Sequence, residues 1–227
     1  MQLFITDFKQ NNDIIITNPE ILEQTRKVLR MKIDKFFVQH KNTRHEMEII
    51  NRDKNTITGK ILNTEQSNTF KKSLIMAIAM PNKRAKTELI VQKLAEIINN
   101  IYFRPSERSV LKENDRKLER LEKISQEAVE QSRREIPKIE LIKDISIIIQ
   151  NKKVIIFDKV DVNAENSSPT GKLFCKTSGL NVLIIGPEGL TAKDYEKFGN
   201  NSEIISLDTI LRIETASIVA WRIKNIE

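Results

Sequence analysis

"LIIGPEG", residues 183–189, is the stretch on which the reading of this chain turns. An apolar run from Val182 to Ile185 enters Gly186-Pro187, meets a carboxylate at Glu188 and leaves through Gly189. The chain has six glycines, and two of them flank this one acid. A buried strand that ends in a glycine-bounded turn can present backbone amides to a ligand, because glycine permits close backbone approach. The plainer alternative is an ordinary strand-to-helix turn stiffened by proline. The stretch lacks the GK[ST] of a phosphate-cradling loop and the GxGxxG of a dinucleotide fold.

Working outward, "KVIIFD" (153–158), "NVLIIG" (181–186) and "EIISL" (203–207) are each followed by a plausible helix. Upstream, "SLIMAIAM" (73–80) is a continuous apolar run, as expected of a strand buried on both faces. A helix over 86–99, a strand at "IYF" (101–103) and a long amphipathic helix over 114–134 follow it. A last helix is expected over 215–224. Strand-helix alternation predicts a parallel α/β sheet. Ligands on such sheets sit at the C-terminal ends of strands. "IIFDKVD", "IIGPEG" and "ISLDTILRIETA" all lie at such ends, so three loops can converge there.

Residues 1 to about 70 read differently. "LFIT", "DIIIT", "KFFVQH", "HEMEII" and "TITGKIL" are β-rich and separated by polar turns. One helix, over 19–29, interrupts them, with Asn18 as its cap and Pro19 in its first turn. Five strands in seventy residues suggest a small barrel. "NTEQSNTFKKS" (63–73) has no period and reads as a linker, which places the domains at 1–68 and 72–227.

The 227 residues are 39% hydrophobic and 30% charged, a globular balance with a net charge of +7. A basic chain tends to meet polyanions, because Lys and Arg displace counterions from phosphate. The single cysteine, Cys175, allows no internal disulfide and fits a reducing cytosol. "MQLFITDFKQ" lacks the basic start and apolar core of a signal peptide, and no run is long enough to span a membrane. A cytoplasmic location is the expectation. His40 and His45 have no cysteine or histidine cluster nearby, so no metal site is expected.

"ILRIETA" (210–216) is the second candidate. Its plain reading is a helix start, with Glu214 favourable to the dipole and Arg212 pairing with it. Its sharper reading puts Arg212 in a cleft, where a guanidinium can hold a nucleobase oxygen or a phosphate. "PNKRAK" (81–86) places Lys83, Arg84 and Lys86 after the first buried strand, either as a solvated loop or as holders of RNA backbone. Arg104, Arg108, Arg133 and Arg134 extend that argument. For the last two, helix-dipole complementarity is the simpler account.

Taken together, these fragments resemble the RsmE-type family of 16S ribosomal RNA uridine N3-methyltransferases, in the SPOUT superfamily. The resemblance is carried by "IIGPEG" (184–189), "LRIETA" (211–216), "MPNKRAKTELIVQKLAE" (80–96), "PSERSV" (105–110), "EAVEQSRREIPKI" (127–139) and "RKVLRM" (26–31), in order over nearly the whole chain. It implies an N-terminal PUA-like β-barrel for RNA and a C-terminal α/β domain with a deep trefoil knot. It also implies S-adenosylmethionine as cofactor, a homodimer, and the small ribosomal subunit as partner. On matching positions, Ile185, Gly186, Gly189, Leu207 and Leu211 would line the cofactor. Glu188 and Thr215 would shape its loops, and Arg212 would face the target base. Arg30, Lys83, Arg84, Lys86, Arg108, Arg133 and Arg134 would hold RNA. Two departures fall in the cofactor loops. Leu190-Thr191 follows Gly189 where the family has a further glycine, and "SLDTILR" is shorter than the family's stretch. The alternative function is therefore a non-catalytic RNA-binding or ribosome-assembly factor with weakened cofactor loops.

Overall fold

The computed structural model describes residues 3–10, 13–28, 35–40, 43–66, 74–105, 115–132, 134–157, 181–186, 190, 192–198, 202–205 and 211–224. The chain forms two compact units. One comprises Met1–Thr69 with Val129–Glu135, and the other Phe70–Ala128 with Ile136–Glu227.

The first unit is built on a curled, mixed six-stranded sheet. Its strands are β1 (Leu3–Ile5), β2 (Lys9–Gln10), β3 (Asp13–Ile16), β4 (Lys35–His40), β5 (Thr43–Arg52) and β6 (Ile57–Gln66), in the order β1-β4-β5-β6-β3-β2. β1 runs parallel to β4, and the other neighbours are antiparallel. The pairing of β5 with β6 slips between Glu46 and Met47 and again between Ile49 and Asn51. Such bulges bend a strand and increase its twist, which curls the sheet into a half-barrel. Phe4, Ile14, Ile16, Phe36, Val38, Met47 and Ile57 fill its concave side, with Phe4 and Phe36 edge-to-face at 5.3 Å.

Helix α1 covers Pro19–Glu23, starting where the Asn18 side chain accepts from the Glu20 amide at 2.9 Å. It continues as one π-helical turn over Gln24–Val28. The stretch read as a linker from 63 is still strand as far as Gln66. Polar cross-strand pairs extend it: Arg44 to Glu65 at 3.3 Å and His45 to Thr64 at 2.9 Å. Glu130 accepts from the Ile5 amide at 3.0 Å and so occupies a donor on edge strand β1.

The second unit is an all-parallel sheet covered on both faces. Its strands are β7 (Leu74–Ala79), β8 (Asn100–Arg104), β9 (Lys138–Leu141), β10 (Lys153–Phe157), β11 (Asn181–Ile185) and β12 (Ser202–Ile205), ordered β12-β10-β11-β7-β8-β9. Every neighbouring pair is parallel. α2 (Arg84–Ala95), α3 (Asp115–Ser132) and α6 (Ile213–Lys224) supply side chains to one face, among them Ile90, Leu94, Leu121, Ile213 and Ala220. α4 (Ser146–Ile149) and α5 (Ala192–Phe198) supply the other with Ile145, Ile148 and Phe198. Each strand alternates between the two clusters, so β7 and β11 are almost wholly apolar.

Two elements were not expected from the sequence. β9 is an edge strand of only four residues that carries Lys138 and Glu140, and such charge blunts both an edge and a hydrophobic signal. α4 is a single turn, too short to show a helical period. α2 starts at Arg84 rather than 86 and ends at Ala95 rather than 99, because the Ile97 and Ile98 amides both turn back to the Leu94 carbonyl. The segments in which a knot would be threaded, including 158–180 and 206–210, lie outside the described residues.

Candidate active site

β7 leads into α2 on one face of the sheet, and β11 leads into α5 on the other. The two strands are neighbours, with Ile185 opposite Ile78. Chains leaving adjacent parallel strands toward opposite faces leave a crevice beyond their C-terminal ends. Ile185 ends β11 there, buried, and Gly186 follows it partly exposed.

α6 begins at the same edge, packing on α2 and β11. Its first turn closes through Ala216 N to Arg212 O at 2.7 Å and Ser217 Oγ to Ile213 O at 2.7 Å. Ile213 anchors it in the core, and Leu211 packs partly buried against the same cluster. Arg212 and Thr215 are exposed. The guanidinium expected to face a base is thus presented outward from a rigid helix start, while the backbone beneath it is fixed.

Charges border the crevice, and most of them are paired. Lys86 Nζ lies 3.8 Å from Glu214 Oε2, joining the first turns of α2 and α6. Glu88 Oε1 accepts from Arg84 Nε and Arg120 Nε, both at 2.7 Å. Arg120 and then Arg84, by hydrogen bonding, hold the Glu88 carboxyl below its ordinary value, and Glu88 raises Arg120 in return. Lys83 is exposed at the N-cap of α2 and makes no side-chain capping bond. Arg104, counted from sequence among the polyanion-binding cations, is instead 3% exposed, with its guanidinium 5.4 Å from the centre of the Phe198 ring. Arg134 is partly buried at the end of α3 in the first unit, and burial lowers its guanidinium. Arg30, Arg108, Arg133, Glu188, Gly189 and Leu207 lie outside the described residues.

The structure adds residues that the motifs did not single out. Arg120 reaches Glu88 across 32 positions, a pairing no local spacing reveals, although Arg84–Glu88 is a legible i, i+4 pair. Met80, at the end of β7, is held by a Thr87 hydroxyl that donates to its sulfur at 3.7 Å. Leu190, four residues after Gly186, packs partly buried against the core on the α5 face. Among the described residues no group of His, Cys, Asp and Glu is arranged to hold a metal.

The RNA methyltransferase domain family matches residues 68–224. The chain belongs to that family. No curated protein matches it. Solved structures that share its fold include the following two. The ribosomal RNA small subunit methyltransferase E of Neisseria gonorrhoeae, bound to S-adenosyl methionine, is 19% identical with a TM-score of 0.75, over 98% of this chain and 95% of that one. A protein of Legionella pneumophila, described as a methyltransferase in complex with the cofactor SAM, is 21% identical with a TM-score of 0.74, also over 98% and 95%. Membership of the RNA methyltransferase family agrees with the resemblance read from the motifs, and the family match begins close to where the parallel sheet does.

Proposed function

We propose that this RNA methyltransferase transfers a methyl group from S-adenosylmethionine to N3 of a uridine in the 16S RNA of the small ribosomal subunit. The observation that carries this reading is that Ile185, at the end of β11, packs in one cluster with Leu211 and Ile213 at the start of α6. The reading further takes the chain to be a cytoplasmic homodimer with a trefoil knot in its second unit and a PUA-like first unit that holds RNA.

The residues of the crevice fit the cofactor. Ile185, Leu211, Ile213 and Met80 give an apolar wall, and Gly186 leaves backbone accessible. Glu214, whose Oε2 lies 3.8 Å from Lys86 Nζ, adds a carboxylate at the start of α6. Gly186, Leu211 and Thr215, with Glu188, Gly189 and Leu207, are the proposed cofactor residues. When bound, S-adenosylmethionine supplies an electrophilic methyl carbon.

The protein's own task is to align N3 with that carbon and to stabilise the charge that develops. N3 is protonated at neutral pH. As its proton passes to water, negative charge spreads over the ring and its two carbonyl oxygens. Arg212 cannot act as a base, since it stays charged. It acts as a cation beside those oxygens, carried on a helix start closed by the Ala216 N to Arg212 O hydrogen bond. Arg30, Lys83, Arg84, Lys86, Arg108, Arg133 and Arg134 are proposed to hold phosphate.

The test is transfer of a labelled methyl group to unmodified small subunits, followed by mapping of the methylated nucleotide. Arg212→Ala is expected to lower the rate by about 100-fold or more, the usual loss for one preorganised charge-stabilising donor. A rate equal to the parent's removes Arg212 from the chemistry. Calorimetry that detects no S-adenosylmethionine binding favours the non-catalytic RNA-binding alternative.

A further inference from the structure

The first unit holds its exposed cations in two settings. Across its sheet they are balanced. Lys35 of β4 lies opposite Glu48 of β5, Glu48 opposite Lys60 of β6, and Lys60 opposite Asp13 of β3. Residues opposite one another in register share a face, so this row alternates in sign. Lys35 Nζ comes within 4.0 Å of the Glu48 carboxylate. A phosphate that approaches the row meets as many carboxylates as ammonium groups.

The turn between β5 and β6 is different. The Asp53 amide donates to the Thr56 carbonyl at 2.9 Å and closes it, and residues 51–55 are all exposed. It carries Arg52 and Lys54 beside one carboxylate, Asp53, to which the Asn51 side-chain amide donates at 3.4 Å. A third cation arrives from 28 positions upstream, where Arg26 Nη2 donates to the Lys54 carbonyl at 3.1 Å. Arg26 leaves from the π-helical turn, which is anchored by Thr25. That residue is fully buried, and its hydroxyl donates to the Leu22 carbonyl at 3.0 Å. The bond to Lys54 ties Arg26 to the β5–β6 turn without neutralising it, because the acceptor is a carbonyl and not a carboxylate. A guanidinium has five N–H donors, so most remain for an anion. Neither Arg26 nor Lys54 makes an ion pair among the described residues.

We propose that Arg26, Arg52 and Lys54 form a phosphate-binding point for RNA on the first unit, in addition to the cations proposed on α2. The proposal deepens the methyltransferase reading above and rests on it. Phosphate contacts position an RNA without reading its sequence. This point therefore anchors the substrate and does not select the base. Arg26 contributes twice, once by its own charge and once by holding the turn that carries Lys54.

The experiment compares the full-length parent with Arg26→Ala, Lys54→Ala, the double variant and Lys60→Ala. Each is titrated with unmodified 16S RNA over a series of salt concentrations. S-adenosylmethionine affinity is measured alongside by calorimetry. Arg26→Ala and Lys54→Ala are each expected to weaken RNA binding and to reduce the slope of log affinity against log salt by about one. Cofactor affinity should stay at the parent's value. The double variant should lose less than the two single losses combined, since removing Arg26 already releases the turn. Lys60→Ala, which removes a cation flanked by carboxylates, should leave the slope near the parent's. Should Arg26→Ala and Lys54→Ala bind RNA with the parent's slope, the proposal fails while the methyltransferase reading stands. A Lys60→Ala loss equal to theirs also overturns it, because binding would then follow total charge and not this turn. A parent that binds neither RNA nor cofactor overturns the underlying reading, and this proposal with it.

Discussion

The two units handle polarity in opposite ways. The first buries it. Gln39, Arg44 and His45 are at most 5% exposed inside a curled sheet, and Arg44 is held by Gln39, Glu65 and the Phe37 ring. The second keeps its sheet interior apolar and moves its cations to the C-terminal edge, where Lys83, Arg84 and Arg212 are exposed. Arg104 and Asn181 are exceptions among the described residues, each at the end of a strand. A parallel sheet covered by helices has no wet face on which to place a polar side chain. A bulged, mostly antiparallel sheet has one, and its bends let a polar group turn inward beside a partner. Stability in the first unit should therefore depend on hydrogen bonding and pH, and in the second on packing.

The largest stability effect should come from the second unit. Leu183 is fully buried in β11, a strand with sheet neighbours on both sides. Leu183→Ala should cost about 2–5 kcal/mol. Denaturant unfolding read at Trp221, the chain's one tryptophan, measures it there. In the first unit the counterpart is Gly59, where an added Cβ would meet Met47 Cε at 1.9 Å and the Glu48 carbonyl oxygen at 2.9 Å. The methionine end can swing, but the backbone oxygen cannot. Gly59→Ala should cost about 1–3 kcal/mol, seen as faster amide exchange in β5 and β6. If Gly59→Ala cost more than Leu183→Ala, the first unit would be the more tightly packed and the comparison would reverse.

A titration sharpens the contrast further. Burial, and secondly the charge of His40, depress the imidazole of His45. The unfolded chain then takes up the proton more readily than the folded one. The contribution is fully present above the ordinary imidazole value of about 6.5. It is lost as pH falls through the lower folded value. Phe8 stands edge-to-face with both His40 and His45, and Asp7 lies 2.9 Å from His40, so the change is felt where these groups meet. Protection of the β4 and β5 amides, taken relative to the intrinsic exchange rate at each pH, should fall from pH 7 toward 5 in the parent. His45→Gln, which can still bond Thr64 without titrating, should flatten that dependence. Equal pH profiles would show that His45 is not the group responsible.

The same contrast explains what could be read beforehand. β7 is apolar along its length, and β10 and β11 are apolar after their first residues, as strands buried on both faces tend to be, so the parallel sheet was legible. The place proposed for the site, at the ends of β7 and β11, rests on that topology. β9 and the end of β6 were not legible, because charged and polar residues there are held by neighbours distant in sequence. Glu65 and Thr64 belong to a strand only because Arg44 and His45 lie opposite. Arg104 misled for a related reason. Its sequence context is that of a surface cation, and in the fold it is buried beside Phe198, which arrives from 94 positions downstream. The Glu88–Arg120 pair was hidden in the same way.

The smallest effects should come from the cations at the edge of the second unit, and they are not equivalent. Lys83 is exposed and makes no ion pair among the described residues, whereas Arg84 shares Glu88 with Arg120. Exposed ion pairs contribute little to stability, so the consequence lies in binding. A phosphate approaching Arg84 must compete with a carboxylate already in place, and it meets no such competitor at Lys83. Lys83→Ala should therefore reduce the slope of log affinity for RNA against log salt by about one. Arg84→Ala should reduce it by less. Glu88→Gln removes the competitor from two guanidiniums at once and should act in the opposite direction, tightening binding and steepening the slope. If Lys83→Ala and Arg84→Ala changed the slope equally, and Glu88→Gln left it untouched, pairing at this edge would not govern contact with RNA. Its cations would then count simply by number, as they do in the sequence.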